Sequence, residues 1–80
     1  MTMFVFTLRY RLPSPDDEPE QYLEALYAAG CSDALVGTAR RGSIALSFSR
    51  AAEHLPAAIE SARYDVEQAI PGGEFVEVVG

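Results

Sequence analysis

The stretch Gly30 to Ser49 constrains the fold more than any other. Its second half sets Ile44, Leu46 and Phe48 in strict alternation with Ser43, Ala45, Ser47 and Ser49, the period of a strand with one buried and one open face. A polar turn, Thr38 to Gly42, precedes it, and Gly42 supplies a residue able to take positive φ. A hairpin from about Asp33 to Ser49 is therefore expected. An isolated hairpin is marginal in water. The rest of the chain must cover its apolar face or extend its sheet.

The flanking segments read as that covering. Met3 to Leu12 alternates again, with Phe4, Phe6, Leu8, Tyr10 and Leu12 on one face and Val5, Thr7, Arg9 and Arg11 on the other. Pro13-Ser14-Pro15 stops this strand. A helix is expected next, with Asp17 as N-cap, Glu20 completing a capping pair, Leu23, Leu26 and Tyr27 as the apolar stripe, and Gly30 closing the end. A second helix is expected over Ala51 to Ile70, its start anywhere from Ala51 to Leu55 because of Pro56. Its buried stripe is Leu55, Ile59, Ala62, Val66, Ala69 and Ile70, and Pro71-Gly72-Gly73 ends it. Glu74 to Val79 reads as a last strand whose two faces the sequence does not distinguish. Strand, helix, strand, strand, helix, strand implies an α+β domain over residues 1–80. The leading topology is ferredoxin-like βαββαβ, a four-stranded antiparallel sheet with two helices on one face.

Charge narrows the function classes. Twelve acids face six arginines, a formal net charge of −6 that repels phosphate backbones and attracts basic partners. Direct nucleic-acid binding is not expected, and the apolar runs are too short to span a membrane. The amino-terminal sequence lacks a positive n-region and the chain has one cysteine, so a cytoplasmic location is expected.

Chemistry-bearing motifs are sparse. His54, the only histidine, has no His or Cys companions for a metal site or a triad, and reads as a surface residue. Cys31 follows the expected C-cap glycine and reads as packing. No enzyme, metal or cofactor is expected. Asp16, Asp17, Glu18, Glu20 and Glu24 on the first helix, with Glu60 and Glu67 on the second, are expected to form one acidic surface that docks on a basic groove, against the plainer alternative of solvated helix faces. Arg9 and Arg11 on the open sheet face, with Arg40 and Arg41 at the hairpin tip, are a second candidate interface, for a partner or a second copy.

The runs Gly30-Cys31-Ser32-Asp33-Ala34-Leu35-Val36-Gly37, Gly42 to Arg50 and Ser61 to Gly72 resemble a small bacterial module found ahead of a helix-turn-helix segment in antitoxin-like proteins and small regulators. The resemblance spans nearly the whole chain, which stops at Gly80, where that segment would begin. As a free-standing acidic copy the chain is similar to phage anti-CRISPR proteins directed at type I surveillance complexes. That resemblance implies a non-catalytic inhibitor in the host bacterial cell, binding a Cas subunit and blocking target DNA. The other reading, a dimerisation module of an antitoxin or regulator, implies a homodimer.

Overall fold

In the computed structural model, which describes residues 1–37 and 40–80, the order is β1 (Thr2–Arg11), a 3-10 turn (Pro19–Tyr22), α1 (Leu23–Ala28), β2 (Ala34–Gly37), β3 (Ser43–Ala52), α2 (Leu55–Ala69) and β4 (Glu74–Val79). The strands form one antiparallel sheet in the order β2-β3-β1-β4, and both helices cover one face, the ferredoxin-like arrangement.

Alternation sets the register. Phe6 pairs with Phe48, Leu8 with Leu46 and Tyr10 with Ile44, so the buried residues of the two central strands stand directly opposite one another. The Phe6 and Phe48 rings stack at 5.6 Å. Over this layer Leu26, Ala58, Ala62 and Val66 close the core. Ala58 and Ala62 lie one helical turn apart, and their small side chains bring α2 close to the sheet.

Four details differ from the sequence expectations, each for a local reason. Glu18, not Asp17, caps the first helical segment. Pro19 occupies the first helical position, and the residue before a proline is held extended, here at φ −88°, ψ 128°. The Glu18 N–H donates to Gln21 Oε1 at 3.3 Å, while Asp17 accepts from the Ser14 N–H and the Tyr22 hydroxyl. The 3-10 turn also shifts the helical phase, so Pro19 and Leu26 are buried with Tyr22 packed against the core, whereas Tyr27 is 58% exposed. The third strand continues past Ser49 to Ala52, because Thr2 to Phe4 extend the ladder opposite Arg50 to Ala52. Helix α2 accordingly starts at Leu55, with His54 Nδ1 accepting the Ala57 N–H at 3.2 Å. Leu55 sits in that first turn, exposed, and Ala58 takes the buried position.

The fourth strand resolves its faces through a bulge. Its pairing with β1 slips between Arg9 and Tyr10, leaving Val76 as the extra residue. Phe75 then faces the helices, its ring edge-on to Tyr10 at 5.5 Å, and Glu74 and Glu77 face the open side opposite Arg11 and Arg9. The expected turn at residues 38–42 lies partly outside the described residues. Gly42 does have φ +79°.

Candidate functional site

The carboxylates of the expected acidic surface divide into two groups. Glu67 is engaged: it accepts from the hydroxyl of buried Tyr10 at 2.7 Å and from Arg63 Nε at 3.1 Å. Burial, then the bond to Glu67, raises the Tyr10 pKa. Glu18 pairs with Arg41 at 2.9 Å, and Asp17 is engaged by Ser14 and Tyr22. Asp16, Glu20, Glu24 and Glu60, together with Glu53, are exposed and have no arginine partner among the described residues.

These free acids share the helical side without converging. The helices run antiparallel and Gly30, just past α1, packs on Asp65 of α2. Glu24 lies six residues before Gly30 and Glu60 five before Asp65, in opposite directions, so a rise of 1.5 Å per residue separates them by roughly 16 Å along the axes.

The arginines gather elsewhere. Arg9, Arg11, Arg40 and Arg41 line one concavity of about 560 Å³ at the end of the open sheet face. Arg9 reaches Glu77 at 3.5 Å and Arg11 reaches Glu74 at 2.6 Å, both pairs well exposed.

The most extensively hydrogen-bonded side chain among the described residues is one that the sequence reading did not single out. Arg50, with a side chain only 13% exposed, donates through Nε and Nη2 to the two oxygens of Asp33, both at 2.9 Å. Its Nη1 donates to Asp65 Oδ2 at 2.9 Å and Ser61 Oγ at 3.3 Å, and Nη2 also to the Gly30 carbonyl at 3.1 Å. All five guanidinium donors are thereby used. A signal for this was present in the sequence: Ile44, Leu46 and Phe48 place the next even position, Arg50, on the buried face, where a charge requires partners.

Cys31 lies beside this cluster. Burial, then the Asp65 charge, pushes its thiol up to about 11, so it is protonated and a poor nucleophile at neutral pH. Among the described residues no group of three or more His, Cys, Asp or Glu side chains has a metal-binding arrangement, and no helix is long and apolar enough to cross a membrane.

Fold and surface define an α+β module with an acidic helical side and an arginine-lined open face. Comparisons with protein-family models, curated proteins and solved structures gave no significant match.

Proposed function

We propose that this chain is a non-enzymatic interaction protein that presents its acidic helical side to a basic, nucleic-acid-binding surface of a partner, in the manner of a DNA mimic. One observation carries this reading: the division of charge. The exposed carboxylates lacking arginine partners among the described residues belong to the helices or the segments leading into them, while four of the six arginines line a concavity at the end of the open sheet face. Such a division orients the molecule during encounter, acids first, toward a cationic groove. The resemblance to anti-CRISPR proteins makes a Cas subunit of a type I surveillance complex the partner to test. Added in excess to such a complex, the chain is expected to abolish binding of labelled target DNA in a gel-shift assay. Charge reversal at Glu20, Glu24 and Glu60 together is expected to weaken inhibition by about tenfold or more. DNA binding left intact across several subtypes would exclude this partner, and undiminished inhibition by the reversed variant would exclude this surface.

A second reading rests on a different observation. Leu35, Ser47, Thr7 and Val79 form one row across the open face, with Leu35 80% exposed and the two hydroxyls bonded at 3.0 Å. Val5 and Met3 extend this apolar area along β1. Scattered apolar exposure is ordinary, but a contiguous face of this kind suits a dimerisation module of an antitoxin or small regulator. Light scattering is then expected to give twice the mass of the chain, falling to one chain on Val5→Glu and Leu35→Glu substitution. A monomer at all concentrations removes this reading.

A further inference from the structure

We infer that the arginine-lined concavity is a binding site for a small oxyanion carrying two or more negative charges. In a chain of net charge −6, four of the six arginines line a single space of about 560 Å³, within the range of small-ligand sites. This inference concerns the end of the open sheet face and does not depend on what the acidic helices dock on.

The fold builds the space from identifiable parts. Arg9 and Arg11 are two residues apart on β1, so both side chains rise from the same face about 7 Å apart. The residues opposite them on β3, Ala45 and Ser43, are small and leave the space between strands and hairpin tip unfilled. The bulge residue Val76 lines it from the β4 side, and Arg40 and Arg41 from the hairpin side. A smaller hollow of about 160 Å³ shares Arg9, Arg40, Ser43 and Ala45 and continues the groove toward Gly37.

The charges there are available for exchange. Arg40 has no carboxylate partner among the described residues. Among the described residues, Arg9, Arg11 and Arg41 are held only by Glu77, Glu74 and Glu18, in pairs whose side chains are about half exposed or more. Pairs of this kind contribute little to stability, and an incoming oxyanion offers the same fork geometry with more charge. The lining is also partly apolar, through Pro13, Pro15 and Val76, so an anion with a compact apolar part fits better than an anion alone.

Calorimetric titration of the full chain at constant ionic strength tests this, with inorganic pyrophosphate, ADP and citrate as probes. At least one is expected to bind at one site per chain with a Kd below about 1 mM. The tightest probe tells phosphate from carboxylate, and ADP binding more tightly than pyrophosphate would show use of the apolar wall. The double variant Arg11→Gln, Arg41→Gln is expected to lose about tenfold or more in affinity. Glu74→Gln, which removes the competitor of Arg11, is expected to raise affinity several-fold. All of these side chains are exposed, so the variants are expected to keep the thermal unfolding profile of the parent. No binding by any probe at 10-fold the expected Kd, or an affinity unchanged in the double variant, would overturn the inference.

Discussion

Arg50→Ala is expected to destabilise the protein by about 3 kcal/mol, out of a total of roughly 4–12 kcal/mol for a domain of this length. The substitution does more than delete five hydrogen bonds. It leaves the carboxylates of Asp33 and Asp65, both mostly buried, facing the same emptied space. It also removes the guanidinium from over the Phe48 ring, where it sits 4.9 Å from the centroid. Because the clamp joins the segment before β2, the end of α1, β3 and α2, no single element can relax to rehydrate the acids. Arg50→Lys keeps the charge but not the planar fork, so it is expected to recover only part of the loss. Replacing Arg50, Asp33 and Asp65 together by Met, Asn and Asn is expected to be milder than Arg50→Ala alone.

The pH dependence of that loss has a definite sign. Hydrogen bonds from Arg50, outweighing the effect of burial, hold Asp33 below its ordinary value. A carboxylate with a depressed folded-state pKa contributes stability above its unfolded pKa of about 4, and the contribution disappears as pH falls through the lower folded value. The Arg50→Ala variant lacks that contribution. The difference between parent and variant, read from urea denaturation, is therefore expected to be full at about pH 7 and to shrink on acidification below about pH 4. A variant within about 0.5 kcal/mol of the parent at neutral pH would mean that the cluster is hydrated and carries no structural weight.

The same cluster shows where sequence reasoning reached and where it stopped. The alternations at Phe6 to Leu12 and Ile44 to Phe48 are local and redundant, since a shift of one residue exposes every apolar side chain on the strand. They fixed the sheet, its buried face and the ferredoxin-like order. What was not legible depends on meetings between distant residues. Nothing near Glu67 in the sequence announces that Tyr10 will donate to it, and nothing near Asp65 announces Arg50. The bulge at Val76 is equally remote, because it is a misfit between β4 and β1 rather than a property of either strand. Charge behaved in the same way. Acids and arginines were countable, but which acids the arginines neutralise was decided by the sheet register, which spent Glu74 and Glu77 on β1 and left Glu20, Glu24 and Glu60 unpaired among the described residues. The N-cap was the exception, a local feature misplaced by one residue, and the rule that an extended residue precedes proline was sufficient to place it at Glu18.

Gly42→Ala is expected to be the costliest single-methyl change in the protein, at about 2–4 kcal/mol. Gly42 is buried with φ +79°, and a Cβ there would stand 2.7 Å from the Pro15 carbonyl oxygen and 3.0 Å from its Cα. Both are backbone atoms, so no side-chain rotation relieves the contact. The backbone around it is tied on both sides: the Gly42 N–H donates to the Asp17 carbonyl at 2.8 Å, and the Leu12 N–H donates to the Gly42 carbonyl at 2.9 Å. Gly72→Ala is the internal control. Its φ of +91° is similarly unfavourable, but its Cβ would meet only the Pro13 ring, Cγ at 3.6 Å and Cβ at 3.8 Å, both ordinary contacts. The control is expected to lose about 1 kcal/mol from the dihedral alone, so the excess at Gly42 measures the steric pinch. Equal losses at the two positions would show that the loop at residues 13–17 yields easily. The pinch also places the walls of the arginine-lined concavity, since Pro15, Gly42 and Arg41 all border it. A Gly42→Ala protein that remains folded at low temperature is therefore expected to bind pyrophosphate more weakly than the parent, even though every guanidinium is still present.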